Sequence, residues 1–313
     1  MSNNALEIRD LCKKFNKKEI VSNFSLNIQA GKIVGLVGPN GAGKTTIMKM
    51  IVGLISPSSG DIHIYNKNIL NNFKLAINDI GAIIESPQFY GHMSAYRNIM
   101  QYARIYKISK KRVLETLKIV GLEQRLNDKV KNYSLGMKQR LGIAQAILHE
   151  PKLLILDEPI NGLDPAGVLE LRIYLKKLVA KSGCAILISS HILTEMDMLC
   201  DEIAMIDKGN LLEIKQINDR TLNFEKQDSN VTVDFNIDIT DNIDYIISQN
   251  PFASNYIISK NILTFDTILK FIPDINAYLV KNNIKVYGIS IQTSSLETDF
   301  LNLTGGNKNE RIG

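Results

Sequence analysis

One short stretch constrains what this chain can fold into more than any other. Gly38-Pro39-Asn40-Gly41-Ala42-Gly43-Lys44-Thr45 fits the pattern G-x-x-x-x-G-K-[ST]. It follows a short apolar run, Ile33-Val34-Gly35-Leu36-Val37, which reads as a buried strand, and it opens a helical stretch from about Lys44 to Leu54. In that strand–turn–helix setting glycines let backbone N–H groups turn inward around phosphate oxygens. The helix N-terminus adds its positive dipole. Lys44 is then expected to reach the β- and γ-phosphates, and the Thr45 hydroxyl to bind Mg²⁺.

A second element fits the same chemistry. Leu153-Leu154-Ile155-Leu156-Asp157-Glu158-Pro159 is an apolar strand ending in two carboxylates. Asp157 there can hold Mg²⁺ through water, and Glu158 can orient and deprotonate an attacking water. Together the two elements point to hydrolysis of a nucleoside triphosphate. Between them, Tyr133-Ser134-Leu135-Gly136-Met137 begins a helix striped by Met137, Leu141, Ala144 and Leu148 and ended by Pro151. Ser134 and Gly136 offer a hydroxyl and a backbone N–H at a helix N-terminus, a second anion site. One chain needs only one γ-phosphate cradle, so this one is expected to close over ATP held by another copy.

The 313 residues leave room for a large domain and a smaller one. With 45% hydrophobic and 22% charged residues the chain buries a core, which excludes intrinsic disorder. No apolar run approaches the roughly 18 residues that cross a bilayer. The first residues, Met1 to Phe15, lack the apolar stretch of a secretory signal. Cys12, Cys184 and Cys200 are scattered and read as small buried residues in a reducing cytoplasm. The net charge of +5 divides unevenly: residues 216–313 carry 8 basic and 12 acidic side chains, leaving +9 before them. A basic first part suits an anionic partner, such as nucleotide, nucleic acid or lipid headgroups.

Strands and helices alternate through that first part. Gly60 to Tyr65, Ile80 to Ile84, Leu153 to Leu156 and Ala185 to Ser189 read as strands, with a helix from about Gly167 to Lys181. This alternation predicts a largely parallel sheet wrapped by helices. The stretch from Ser94 to Gly121 has helical spacing, with Val113, Leu117 and Val120 on one face, and lies within a strand-free helical insert over about 86–135. Polar residues accumulate near 210–228. Val231, Val233, Phe235 and Ile237 then alternate with polar residues as a strand. Tyr256 to Phe265 reads as a second strand, Ile284 to Ile291 as a third, and a helix follows Pro273. The expected division is 1–215, a linker over 216–228, and a small α+β domain over 229–313.

These motifs, in this order, resemble the nucleotide-binding subunits of ABC transporters over about residues 5–215. The resemblance implies an α/β fold, a P-loop NTPase domain with an inserted helical subdomain, followed here by the small C-terminal domain. It implies that Phe15 stacks on adenine and that Gly38 to Thr46, including Thr46 itself, cradles the phosphates of ATP. Asp157 and Glu158 match its magnesium-binding and catalytic carboxylates. Asn161-Gly162-Leu163-Asp164 resembles the loop that crosses the dimer interface, and His191 matches the histidine that contacts the γ-phosphate. Tyr133 to Met137 matches the family signature L-S-G-G-Q with departures at Tyr133, Leu135 and Met137. The family normally has Gln after the strand ending at Ile84, whereas this chain has Glu85-Ser86-Pro87. A carboxylate can ligate Mg²⁺ more strongly than an amide but adds negative charge beside the triphosphate.

Glu85, the Ser-Leu-Gly-Met signature and the ending Ser295 to Gly305 resemble one subgroup, the bacitracin-resistance and lantibiotic-immunity exporter ATPases; a generic drug, lipid or ion exporter is the alternative. The resemblance implies a homodimer that sandwiches two MgATP. It also implies separately encoded transmembrane permease subunits and a place on the inner face of the cell membrane. Relatives that act on ribosomes or in repair carry a second cassette or a long coiled coil; this chain has neither, so no nucleic-acid partner is expected. Phe89, Tyr90 and Tyr96 either line a groove for a permease helix or pack locally. Lys107, Lys110, Lys111 and Arg112 read as a solvated helix face or a lipid-facing cluster. His63, His92 and His149 are expected to pack rather than bind metal.

Overall fold

In the computed structural model, residues 4–217, 230–238, 243–249 and 255–292 are described, with Phe300 and Leu303. They divide into two units, one up to Ile217 and one within 218–301. The expected linker beyond Ile217, and the ending Ser295 to Gly305 apart from Phe300 and Leu303, lie outside the described residues.

The first unit begins with a hairpin, β1 (Asn4–Phe15) and β2 (Lys18–Gln29), before β3 (Ile33–Val37) and α1 (Lys44–Ile51). Then come β4 (Ser59–Ile64), β5 (Lys67–Asn68), α2 (Phe73–Ile77) and β6 (Ile80–Ile83). Between β6 and the next strand lie α3 (Ala95–Ile105), α4 (Lys110–Ile119) and, beginning where the expected insert ends, α5 (Leu135–Ile147). After it follow β7 (Leu153–Leu156), α6 (Pro165–Ser182), β8 (Ala185–Ser190), α7 (Leu193–Leu199), β9 (Glu202–Asp207) and β10 (Asn210–Gln216).

The central sheet has the order β10-β9-β3-β8-β7-β6, parallel throughout except for the edge strand β10. Every residue of β3, β7 and β8 is buried, as expected for parallel strands covered on both faces. Register pairs Val37 with Ser190, Leu156 with Ile188 and Ile83 with Leu156. Four strands therefore end along a common edge, the place where open α/β sheets receive ligands. A second sheet, antiparallel in the order β2-β1-β4-β5, was not foreseen beside the parallel one. Its buried Leu6, Ile8, Phe24 and Ile28 share a core with α1 and the central sheet.

The single helical stretch expected from Ser94 to Gly121 is two helices. Lys107 adopts a left-handed φ of 55° between them, and Ser109 caps α4 by accepting a hydrogen bond from Arg112 N. Val113, Leu117 and Val120 are buried, as their spacing required.

The second unit holds β11 (Asn230–Ile237), α8 (Ile243–Ser248), β12 (Asn255–Ser259), β13 (Ile262–Ile268), α9 (Ile272–Lys281) and β14 (Val286–Gln292). Its antiparallel sheet runs β12-β13-β11-β14, over a core of Val233, Phe235, Ile237, Leu263, Phe265, Ile275 and Leu279. The one strand expected from Tyr256 to Phe265 is a hairpin, turned at Lys260 with a left-handed φ of 53°.

Candidate functional site

The glycine-rich loop leaves β3 and enters α1 at the common strand edge. Gly41 and Gly43 take φ of 85° and 107°, which side-chain-bearing residues rarely adopt. Gly38 is fixed by packing, since a Cβ there would overlap the Ile206 carbonyl oxygen. Pro39, Asn40 and Gly41 are exposed, whereas Ala42, Gly43 and Lys44 are buried. Ala42 N donates to Pro39 O at 3.2 Å, and Gly209 N donates to Ala42 O at 2.9 Å. Lys44, only 6% exposed, curls back over the loop: its Nζ donates to Gly38 O at 2.7 Å and Pro39 O at 3.2 Å. The same ammonium lies 3.4 Å from Glu158 Oε1. Thr46 follows in the first turn of α1, half-buried.

The end of β7 meets this loop. Thr45 Oγ1 donates to Asp157 Oδ2 at 2.9 Å, and Ser189 Oγ donates to Asp157 Oδ1 at 2.7 Å. Glu158 N donates to Ser189 Oγ at 2.9 Å, so Ser189 fixes both carboxylate-bearing residues. Glu158 itself sits at φ 49°, and its Oε2 lies 3.0 Å from His191 Nδ1. The structure thus brings Lys44, Thr45, Asp157, Glu158 and His191 into one network. Ser189 is the member sequence reading passed over; its position, at the end of a fully buried strand adjoining β7, was the only signal.

A second cluster forms around the N-termini of α5 and α6. Ser134 caps α5 by accepting from Met137 N at 3.2 Å, and Asp164 caps α6 by accepting from Gly167 N at 3.0 Å. The two segments interlock. A Cβ on Gly162 would overlap Leu135 Cδ2, and one on Gly136 would stand 3.1 Å from Leu163 Cδ2. Each leucine fills the space above the other segment's glycine. Leu135 nonetheless stays 52% exposed, and Ser134 and Asp164 are exposed too. Tyr133 is buried; its hydroxyl donates to Arg125 O at 2.7 Å, and burial pushes its pKa up to about 12. The loop from Glu158 to Asp164 joins this cluster to the first one, with Asn161 N donating to Glu158 O at 3.2 Å.

Phe15 closes the β1–β2 hairpin, 47% exposed with Lys13 Nζ 4.8 Å from its ring centroid. Ile20 of the same hairpin presents its carbonyl oxygen to Gly43 and Gly209. The aromatic residue is therefore carried by an element packed on the glycine-rich loop. Glu85 follows β6 at φ 62° and accepts from Lys49 Nζ at 2.6 Å. Lys49 was not anticipated.

Other expectations resolve into packing. His149 stacks on Tyr106 at 4.9 Å and meets Ile80 O at 2.9 Å; burial, which outweighs that hydrogen bond, lowers its pKa. Arg112 leaves the basic cluster to donate to the Ile147 and Leu148 carbonyls at the end of α5. Tyr90 is held by buried Asn98, which accepts from its N–H at 2.9 Å. Among the described residues no cluster of His, Cys, Asp or Glu could hold a metal by itself, and no helix is long and apolar enough to cross a membrane.

A family profile described as ABC transporter matches residues 21–161. The chain is 41% identical to an uncharacterized ABC transporter ATP-binding protein, YhcH, of Bacillus subtilis, over 97% of each chain. It is 39% identical to the bacitracin transport ATP-binding protein BcrA of Bacillus licheniformis, over 96% of this chain and 97% of that one. With the lantibiotic transport ATP-binding protein SrtF of Streptococcus pyogenes it shares 44% identity, over 67% of this chain and 90% of that one. Among solved structures, cbiO1 of Clostridium perfringens, part of the ABC transporter complex cbiONQ, superposes with a TM-score of 0.65 at 28% identity. That match covers 72% of this chain and 93% of cbiO1. Phosphate loop, paired carboxylates, helical insert and full-length similarity converge on one conclusion: the chain belongs to the ATP-binding, ATP-hydrolysing subunits of ABC transporters.

Proposed function

We propose that the chain powers export of a peptide antibiotic of the bacitracin or lantibiotic type, working as a homodimer on separately encoded permease subunits at the inner face of the membrane. The observation that carries the catalytic part is the network from Thr45 through Asp157, Ser189 and Glu158 to His191 and Lys44. Its logic is that of a primed hydrolytic site. Lys44, now satisfied by loop carbonyls and Glu158, exchanges those partners for phosphate oxygens when ATP enters, at little cost in hydrogen bonding. Glu158 is then released to accept the proton of an attacking water, with His191 holding the far carboxylate oxygen and reaching the γ-phosphate. A magnesium ion fits the hard oxygens of Thr45 and Asp157, and would neutralise charge on the phosphates.

Phe15 supplies a face for adenine. Ser134 and Asp164, which are exposed, and half-buried Gly136 lie outside this network at helix starts, which suits them to complete the ATP site of a second copy. Closure of that dimer, biased by nucleotide, passes to the permease through the helical insert. The named cargo of BcrA and SrtF supports the peptide-antibiotic reading.

Glu158→Gln tests the catalytic part. Hydrolysis is expected to fall by about 100-fold or more, and the variant to elute as a dimer only with MgATP. A variant that stays monomeric with ATP, or keeps wild-type turnover, overturns it. The cargo is tested separately by expressing the chain with its permeases and challenging cells with bacitracin and a lantibiotic. Unchanged susceptibility to both ends the antibiotic reading and leaves the ATPase reading standing.

A further inference from the structure

Glu85 emerges among the site carboxylates. Asp157 N donates to the carbonyl of Ile83 at 2.9 Å, so β6 and β7 deliver Glu85, Asp157 and Glu158 to the same strand edge. One cation at that edge is already committed: Lys44 serves the loop carbonyls and Glu158. A third carboxylate beside a triphosphate would oppose binding by like-charge repulsion. The chain meets Glu85 with a different cation. Lys49, in the last turn of the helix that begins with Lys44, donates to Glu85 Oε1 at 2.6 Å. Its side chain is two-thirds covered, while the Glu85 side chain is 65% exposed. Glu85 also stands in the left-handed region at φ 62°, a strained setting for a carboxylate-bearing residue that a fixed partner helps to hold.

We propose that Lys49 is a positioning residue that makes a carboxylate at position 85 compatible with a bound nucleoside triphosphate, pairing with Glu85 and holding it against α1. The inference rests on the reading of residues 38–46 as the ATP phosphate loop. It makes positions 49 and 85 one functional unit: a charge pair in place of a neutral amide.

The test is a double-mutant cycle on the full chain, read by calorimetric binding of the non-hydrolysable analogue adenylyl imidodiphosphate with magnesium. Lys49→Met is expected to weaken binding about tenfold in the wild-type background and less than about twofold in the Glu85→Gln background, an interaction of the size neighbouring charges show. Lys49→Arg, which keeps the charge, should stay within about twofold of wild type. The Lys49→Met deficit should also shrink as ionic strength rises, because Glu85 is exposed to screening ions. Equal losses in both backgrounds would mean that Lys49 acts on nucleotide or fold directly, and would overturn the proposal; so would no loss in either. A wild-type chain that fails to bind the analogue overturns the phosphate-loop reading itself, an outcome distinct from these.

Discussion

Asp157 and Ser134 stand at opposite extremes within one cassette. Asp157 is buried and engages both carboxylate oxygens inside the chain, one with Thr45 and one with Ser189. Ser134 is exposed and, among the described residues, uses its hydroxyl oxygen to cap the helix it begins. The same holds for their neighbours: Lys44 is folded into its own loop, while Asp164 and Leu135 face outward. Buried, fully bonded groups keep fixed positions before any ligand arrives, and exposed caps offer N–H groups to something that comes from outside. On the proposed reading, the first cluster holds nucleotide and the second is presented to it.

The contrast can be broken most directly at Lys44. Lys44→Ala removes a buried charge that two carbonyls and a carboxylate now satisfy, and is expected to weaken ATP binding about 100-fold or more, read by calorimetry. Retained affinity would mean that the first cluster is not the nucleotide cradle. Ser134→Ala should lower hydrolysis about tenfold while costing dilute protein little nucleotide affinity, since its proposed role is to the second copy's site. Should it weaken binding to dilute monomer as much as Lys44→Ala does, the distinction between the clusters fails.

Smaller effects sharpen the picture. Asp164→Ala deletes the cap of α6, and urea unfolding should report a loss of about 1 kcal/mol. A larger loss would show that Asp164 is structural first. His149 lies at the other end of β6, bonded to Ile80 O, so it separates fold stability from site chemistry. Its folded pKa is depressed from 6.5 by burial, so the unfolded chain takes up the proton first as pH falls. The chain therefore loses stability as pH drops below that ordinary value toward the lower folded one. His149→Gln should flatten the fall in urea midpoint between pH 7.5 and 5.5; an unchanged slope would remove His149 from the account.

Much of this was readable because buried parallel strands announce themselves. Ile33–Val37, Leu153–Leu156 and Ala185–Ser190 are short, wholly apolar or nearly so, and each runs into chemistry-bearing residues. Strand β1 was hidden for the opposite reason. Its pairing with β2 shifts register at four places, so its apolar residues Leu6, Ile8 and Leu11 do not keep the alternation that marks a half-buried strand. The hairpin at Lys260 was read as one strand because its turn lacks glycine, the usual sign of a left-handed φ. That Asp157 and Glu158 stand beside the glycine-rich loop followed from chain position alone. Ser189 and Lys49 did not, because each matters only through a residue distant in sequence.

The paired leucines and glycines at the starts of α5 and α6 carry one last consequence. Residue 162 is restricted twice over, by a φ of 77° that suits glycine and by the Leu135 methyl, which would have to move aside for a side chain to grow. Trimming Leu135 alone would remove only the second barrier. In mutational terms the leucine that departs from the signature pattern and the glycine opposite it are epistatic partners. A lineage that trimmed the leucine would tolerate more at position 162 than one that kept it, within the limit the φ still sets.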